Sequence, residues 1–155
     1  GKTTIGKALA KSMDLDFVDT DQRLERLTGA SVSLIFDIEG EKGFRKREQQ
    51  LISELVGITN TVMATGGGAI LLSENRRNLS NNSVVIYLKG RIETLEKRTR
   101  LDKNRPLLAT KNPRDTIKEI LKKRSHLYEE TADFQIEVDE HSAEDIVNKI
   151  TDLLT

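Results

Sequence analysis

Cysteine is absent from the chain, which excludes thiol nucleophiles, disulfide frameworks and cysteine-ligated zinc. Histidine is scarce: His126 and His141 lie in different segments, so a multi-histidine metal site cannot be assembled within one chain. Neither sign of charge is in excess. Lys plus Arg and Asp plus Glu number 25 each, which argues against a protein that holds nucleic acid by diffuse charge. No apolar run approaches the roughly 18 residues of a membrane span, and no repeat or low-complexity tract is present. What these absences leave is one domain of 155 residues, 36% hydrophobic, large enough to bury a core without covalent or metal staples.

What is present begins at the first residue. Gly1-Lys2-Thr3-Thr4 runs into Ile5-Gly6-Lys7-Ala8-Leu9-Ala10, the C-terminal half of a phosphate-binding loop followed by an amphipathic helix. In such a loop the backbone amides and helix N-terminus surround a polyphosphate, the lysine neutralises its terminal oxygens and the hydroxyl residue ligates Mg²⁺. Lys2 and Thr3 take those roles, with Gly1 and Thr4 beside them. The helix carries its apolar stripe at Ile5, Ala8, Leu9 and Met13. The motif's first glycine and the strand before it are not in this numbering. A central strand cannot be deleted from a parallel sheet without orphaning its neighbours' backbone groups. The natural protein is therefore expected to continue N-terminally by roughly a dozen residues carrying both.

Strands and helices alternate through the rest. Leu15 to Val18 reads as a strand, Gln22 to Leu27 as a helix, and Ser31 to Phe36 and Glu41 to Leu55 as helical patterns. Thr61 to Ala64 is a strand running into Gly66-Gly67-Gly68, Asn75 to Leu79 a short helix, and Ser83 to Leu88 a strand rich in β-branched and aromatic residues. Ile92 to Thr99 resumes helical spacing, the polar stretch Arg100 to Asn112 reads as a loop, and Pro113 suits the first turn of a helix reaching Tyr128. Phe134 to Val138 and Ala143 to Leu154 close the chain as strand and helix. The pattern predicts a three-layer α/β/α domain whose parallel sheet, counting the strand ahead of Gly1, has five members.

In open parallel sheets ligands bind beyond the carboxyl ends of the strands. Asp19-Thr20-Asp21 stands there, at the end of the strand that follows the loop helix. Beside Lys2 and Thr3 these carboxylates read as functional, although Asp19 could equally cap the next helix. Gly66-Gly67-Gly68 sits on the same rim, where residues without Cβ let backbone approach a ligand closely.

These motifs, with Ile35-Phe36…Gly40-Glu41…Phe44-Arg45…Glu48, Arg105-Pro106-Leu107-Leu108 and Arg124…Leu127-Tyr128, resemble in order and spacing the shikimate kinases, within the P-loop NTPase fold typified by nucleoside monophosphate kinases. The resemblance spans nearly the whole chain. It implies phosphoryl transfer from ATP to shikimate, giving shikimate 3-phosphate in the route to chorismate and the aromatic amino acids. It also implies residue roles. Asp21 meets the acceptor hydroxyl as the candidate base, with Lys2 and Arg105 as catalytic cations. Arg45 and Arg124 clamp the acceptor's carboxylate, matching the planar bidentate donors a carboxylate favours, and the amides of Gly66, Gly67 and Gly68 contact the same acceptor. Thr3 and Asp19 hold Mg²⁺, Arg98 stacks on adenine, residues 20–55 form the substrate-binding region, and residues 100–112 form a lid. The family's protein is expected to be a cytoplasmic monomer with no nucleic-acid or membrane partner.

Two departures stand out. Ala64-Thr65 ends its strand without the acidic residue common at that position in P-loop proteins, and no arginine follows Val138 where some relatives have one. Alternative readings are a gluconate or nucleoside monophosphate kinase of the same fold, and a non-catalytic nucleotide-binding module. On their own, Arg45 and Arg124 would read as exposed helix charges, Arg45 pairing with Glu48 at i,i+3.

Overall fold

The computed structural model describes residues 2–99 and 113–155, with Arg98, Thr99 and Pro113 described by backbone alone. The expectations for Gly1, Arg105, the side chain of Arg98 and the lid segment 100–112 lie outside the described residues.

The elements follow in the order α1 (Lys2–Met13), β1 (Asp16–Asp19), α2 (Thr20–Thr28), α3 (Val32–Leu55), β2 (Thr61–Ala64), a short 3-10 helix (Ala69–Leu71) and α4 (Ser73–Asn82). Then come β3 (Ile86–Lys89), α5 (Ile92–Thr99), α6 (Pro113–Thr131), β4 (Phe134–Glu137) and α7 (Ala143–Leu154). Local chemistry sets most boundaries. Asp19 caps α2, accepting from Gln22 N at 3.0 Å, and Gly29 ends that helix in the left-handed conformation at φ 70°. Ser31 caps α3 through Leu34 N, and Ser142 with Asp145 forms a reciprocal capping box on α7. α3 is bent at Gly40, whose φ of 73° and ψ of 175° fall in a region essentially reserved for glycine. The break separates the two helical patterns read from the sequence, and the Glu39–Arg47 ion pair spans it at 2.5 Å.

The described strands form two parallel pairs, β1 with β2 and β3 with β4, in the registers Asp16 to Thr61 and Ile86 to Phe134. A five-stranded sheet is not seen among the described residues. The layers are nonetheless explicit in side-chain alternation. Val62 packs with Ile5, Leu9, Ile146 and Ile150 of α1 and α7, whereas its neighbour Met63 packs with Val18, Phe44, Leu51 and Leu55 on the α3 side. In β3, Ile86 and Leu88 join the α1/α7 cluster while Tyr87 stacks on Tyr128 of α6, ring centroids 4.9 Å apart.

Two local expectations are corrected. The buried stripe of α1 is Ile5, Gly6, Leu9 and Ala10, and Ala8 faces solvent because the helix rests on both α7 and β2. The β3 ladder begins at Ile86, not Ser83: Ser83 N still bonds to Leu79 O at the end of α4, and Val85 N is taken by the Asp133 carboxylate at 2.8 Å.

Candidate active site

α1 brings Lys2 and Thr3 to the carboxyl end of β1, where Asp19 waits. Thr3 Oγ1 donates to Asp19 Oδ2 at 2.5 Å while Asp19 Oδ1 keeps its capping bond. The capping and functional readings of Asp19 are thus compatible, one oxygen for each. A hydroxyl and one carboxylate are hard oxygen donors, and among the described residues no group of three or more Asp, Glu, His or Cys could cage a metal. That donor set fits Mg²⁺, which binds through one or two carboxylates plus phosphates and water rather than in an all-protein cage.

The triple glycine is the floor on which the other side chains meet. A Cβ added to Gly66 would lie 3.1 Å from Asp21 Oδ1 and 3.3 Å from Glu48 Oε2. On Gly67 it would lie 3.2 Å from Tyr128 Oη and 3.8 Å from both Arg124 Nη1 and Lys2 Nζ. On Gly68 it would fall onto the Arg45 guanidinium, 2.5 Å from Nη1 and nearer still to Cζ and Nη2. Two carboxylates, two guanidiniums and an ammonium from α1, α2, α3 and α6 therefore converge on three residues. The loop is itself anchored: Tyr128 Oη donates to Gly67 O at 2.6 Å, buried Asn75 donates to Ala69 O at 2.9 Å, and Arg76 donates to Ile70 O at 2.7 Å.

Arg45 is held from several sides. Its guanidinium lies over the rings of Phe44 and Phe36, 5.2 and 5.9 Å from their centroids, and Nη1 donates to Glu48 Oε1 at 3.0 Å. Its side chain is 11% exposed and that of Glu48 is 0%, so the i,i+3 pair is internal rather than a solvated helix face. Arg124 is likewise only 9% exposed. Burial pushes the Glu48 carboxyl above its ordinary value, opposed by the charge and hydrogen bond of Arg45. Burial also raises the Tyr87 phenol, with the neighbouring Tyr128 adding to it.

The structure thus unites Lys2, Thr3, Asp19, Asp21, Arg45, Gly66, Gly67, Gly68 and Arg124 on one cavity. Thr4 stands apart, exposed on α1. Glu48 and Tyr128 belong to the site although sequence reasoning gave them no role. Glu48 was legible in principle: Phe44, Glu48, Leu51 and Leu55 are spaced at three and four residues, which puts a carboxylate on the apolar face of α3.

A P-loop helix, carboxylates at the end of β1 and the start of α2, and a glycine floor ringed by cations fit a phosphotransferase acting on a small anionic acceptor. Comparison with known proteins narrows this class. The family described as shikimate kinase matches residues 1–155. The shikimate kinase of Haemophilus influenzae is 48% identical over 155 residues, covering 99% of this chain and 86% of that protein. Among solved structures, shikimate kinase from Acinetobacter baumannii in complex with shikimate superposes with a TM-score of 0.96 at 44% identity, covering 99% and 86% of the two chains. Shikimate kinase from Bacteroides thetaiotaomicron gives 0.90 at 31%, covering 99% and 92%. The chain belongs to the shikimate kinase family.

Proposed function

We propose that the cavity above Gly66–Gly68 is where this family member moves the γ-phosphate of ATP to the 3-hydroxyl of shikimate, giving ADP and shikimate 3-phosphate on the route to chorismate. The observation that carries the reading is the convergence of Asp21, Arg45, Arg124 and Lys2 on three consecutive glycines.

The loose transition state of phosphoryl transfer demands in-line placement and cationic cover more than covalent help. Lys2 and the amides after Gly1 hold the β- and γ-phosphates, with Thr4 at the edge of that loop. Arg45 and Arg124 take the acceptor's carboxylate from two sides, and each charged hydrogen bond is worth about 1.5–3 kcal/mol. The clamp leaves the acceptor's hydroxyl face toward Asp21, which orients the 3-hydroxyl and receives its proton as the oxygen attacks phosphorus. The amides of Gly66, Gly67 and Gly68 complete the acceptor's bed. Thr3 and Asp19 are the residues that would hold Mg²⁺, which when bound neutralises the phosphate oxygens. Arg105, from segment 100–112, is assigned to the transferring phosphoryl group and Arg98 to the adenine.

The two strand pairs are read as parts of one five-stranded parallel sheet, with a further strand between β2 and β3. Both pairs border the same cavity, and Val62, Met63, Ile86 and Leu88 line it. Among the described residues no helix is long and apolar enough to cross a membrane; the protein is assigned to the cytoplasm as a monomer, where ATP is available.

Coupled ADP release from the intact protein, with shikimate, gluconate and nucleoside monophosphates offered separately, tests the reading. Turnover with shikimate alone is expected. Turnover with another acceptor, or with none, overturns it.

A further inference from the structure

A carboxylate taken out of water is costly unless its charge is matched. Glu48 is 0% exposed, and only half of it is served. Oε1 accepts from Arg45 Nη1 at 3.0 Å, whereas Oε2 is buried without a hydrogen-bond donor among the described residues, beside the carboxylate of Asp21 over Gly66. The charged groups facing Glu48 are Arg45 on its own helix, Asp21 from α2 and Arg124 from α6, with Lys2 of α1 farther along the glycine floor. Its charged form therefore depends chiefly on one guanidinium, and that guanidinium is also a proposed ligand of the substrate's carboxylate.

Glu48 braces Arg45 beside Gly68. We propose that the protonation of Glu48 is coupled to acceptor binding: it takes one proton from solvent on Oε2 when the acceptor's carboxylate claims that guanidinium. The inference rests on the acceptor-site reading above. Burial already raises the Glu48 carboxyl from its ordinary 4.5, with Arg45 and Arg124 holding it down and Asp21 pushing it up. A second anion on Arg45 weakens the main force holding the proton off, so the carboxyl rises further in the complex. Between its values in the free and occupied site, binding takes up as much as one proton, and the Kd for shikimate climbs with pH by up to about tenfold per unit.

The test is calorimetric titration of the intact protein with shikimate at roughly pH 6, 7 and 8, in buffers of differing ionisation enthalpy. The slope of observed heat against buffer enthalpy counts protons. The wild type is expected to take up roughly 0.3–1 proton per shikimate at one or more of these pH values. Glu48→Gln keeps an acceptor for Arg45 but cannot titrate, and is expected to take up almost none, with a Kd flat in pH. Glu41→Gln, which removes only the charge of the exposed carboxylate 3.4 Å from Arg45 Nη2, keeps the uptake. Shikimate binding without proton exchange in the wild type, or undiminished uptake in Glu48→Gln, overturns the inference. If Glu48→Gln does not fold, carbon-13 NMR of the wild-type glutamate carboxyls decides: one resonance moving toward its protonated shift on adding shikimate supports the coupling, and none moving refutes it. Arg124→Lys separates the two readings, because unaltered shikimate affinity in that variant would sink the acceptor site itself.

Discussion

Gly68→Ala adds a single methyl group where the site has room for none. Gly68 has φ −88° and ψ 0°, the bridge region that non-glycine residues adopt in type I turns, so the substitution brings little backbone strain. The new Cβ would stand 2.5 Å from Arg45 Nη1, and nearer Nη2 and Cζ, against roughly 3.4 Å or more for an ordinary contact, so the guanidinium must withdraw by about 1 Å. It is the far end of a flexible side chain and can swing aside, at a cost set by its pair with the fully buried Glu48. The retreat also strains the 3.0 Å bond to Glu48 and misplaces one half of the proposed carboxylate clamp. A misplacement of that size, or the loss of one charged hydrogen bond, corresponds to a roughly 10- to 100-fold fall in kcat/KM for shikimate. Steady-state kinetics are expected to show this fall with KM for ATP within about twofold of wild type and the unfolding free energy lowered by no more than about 3 kcal/mol, the buried pair being strained but not broken. Wild-type shikimate kinetics in Gly68→Ala would refute the placement of Arg45 as an acceptor ligand. An equal rise in KM for ATP would show a general disturbance instead.

Asp21→Asn keeps the shape of the hydroxyl-facing group and removes its charge; turnover is expected to fall roughly 10²- to 10⁴-fold while ATP affinity, measured by fluorescent-nucleotide displacement, stays nearly constant. Gly40→Ala meets no atom within 4 Å yet places a Cβ on a backbone at φ 73° and ψ 175°, so urea unfolding should report a loss of about 1–3 kcal/mol from strain alone.

Much of the fold was legible because each element carries its own period and punctuation. The strand Thr61 to Ala64 and the helix Ala143 to Leu154 are as the sequence implies. Gly40 divides two helical patterns where a left-handed glycine is needed. Ala8 and Ser83 were misread because burial and ladder pairing are set by neighbours distant in sequence, α7 for one and Asp133 for the other. In the site, Asp19 and Asp21 were readable from their position at a strand end. For Glu48 the signals were divided: its spacing with Phe44, Leu51 and Leu55 points inward, whereas an i,i+3 arginine–glutamate pair looks the same in water and in a core, and packing beneath Phe36 and Phe44 decides between them.

Arg45 and Arg124, both largely withdrawn from water, are proposed to select a carboxylate-bearing acceptor for phosphorylation over Gly66–Gly68. The most direct measurement of that selection compares kcat/KM for shikimate and for its methyl ester in the ADP-release assay with the intact protein. Two charged hydrogen bonds predict a preference for the acid of at least about 100-fold. Equal values for acid and ester would contradict the account.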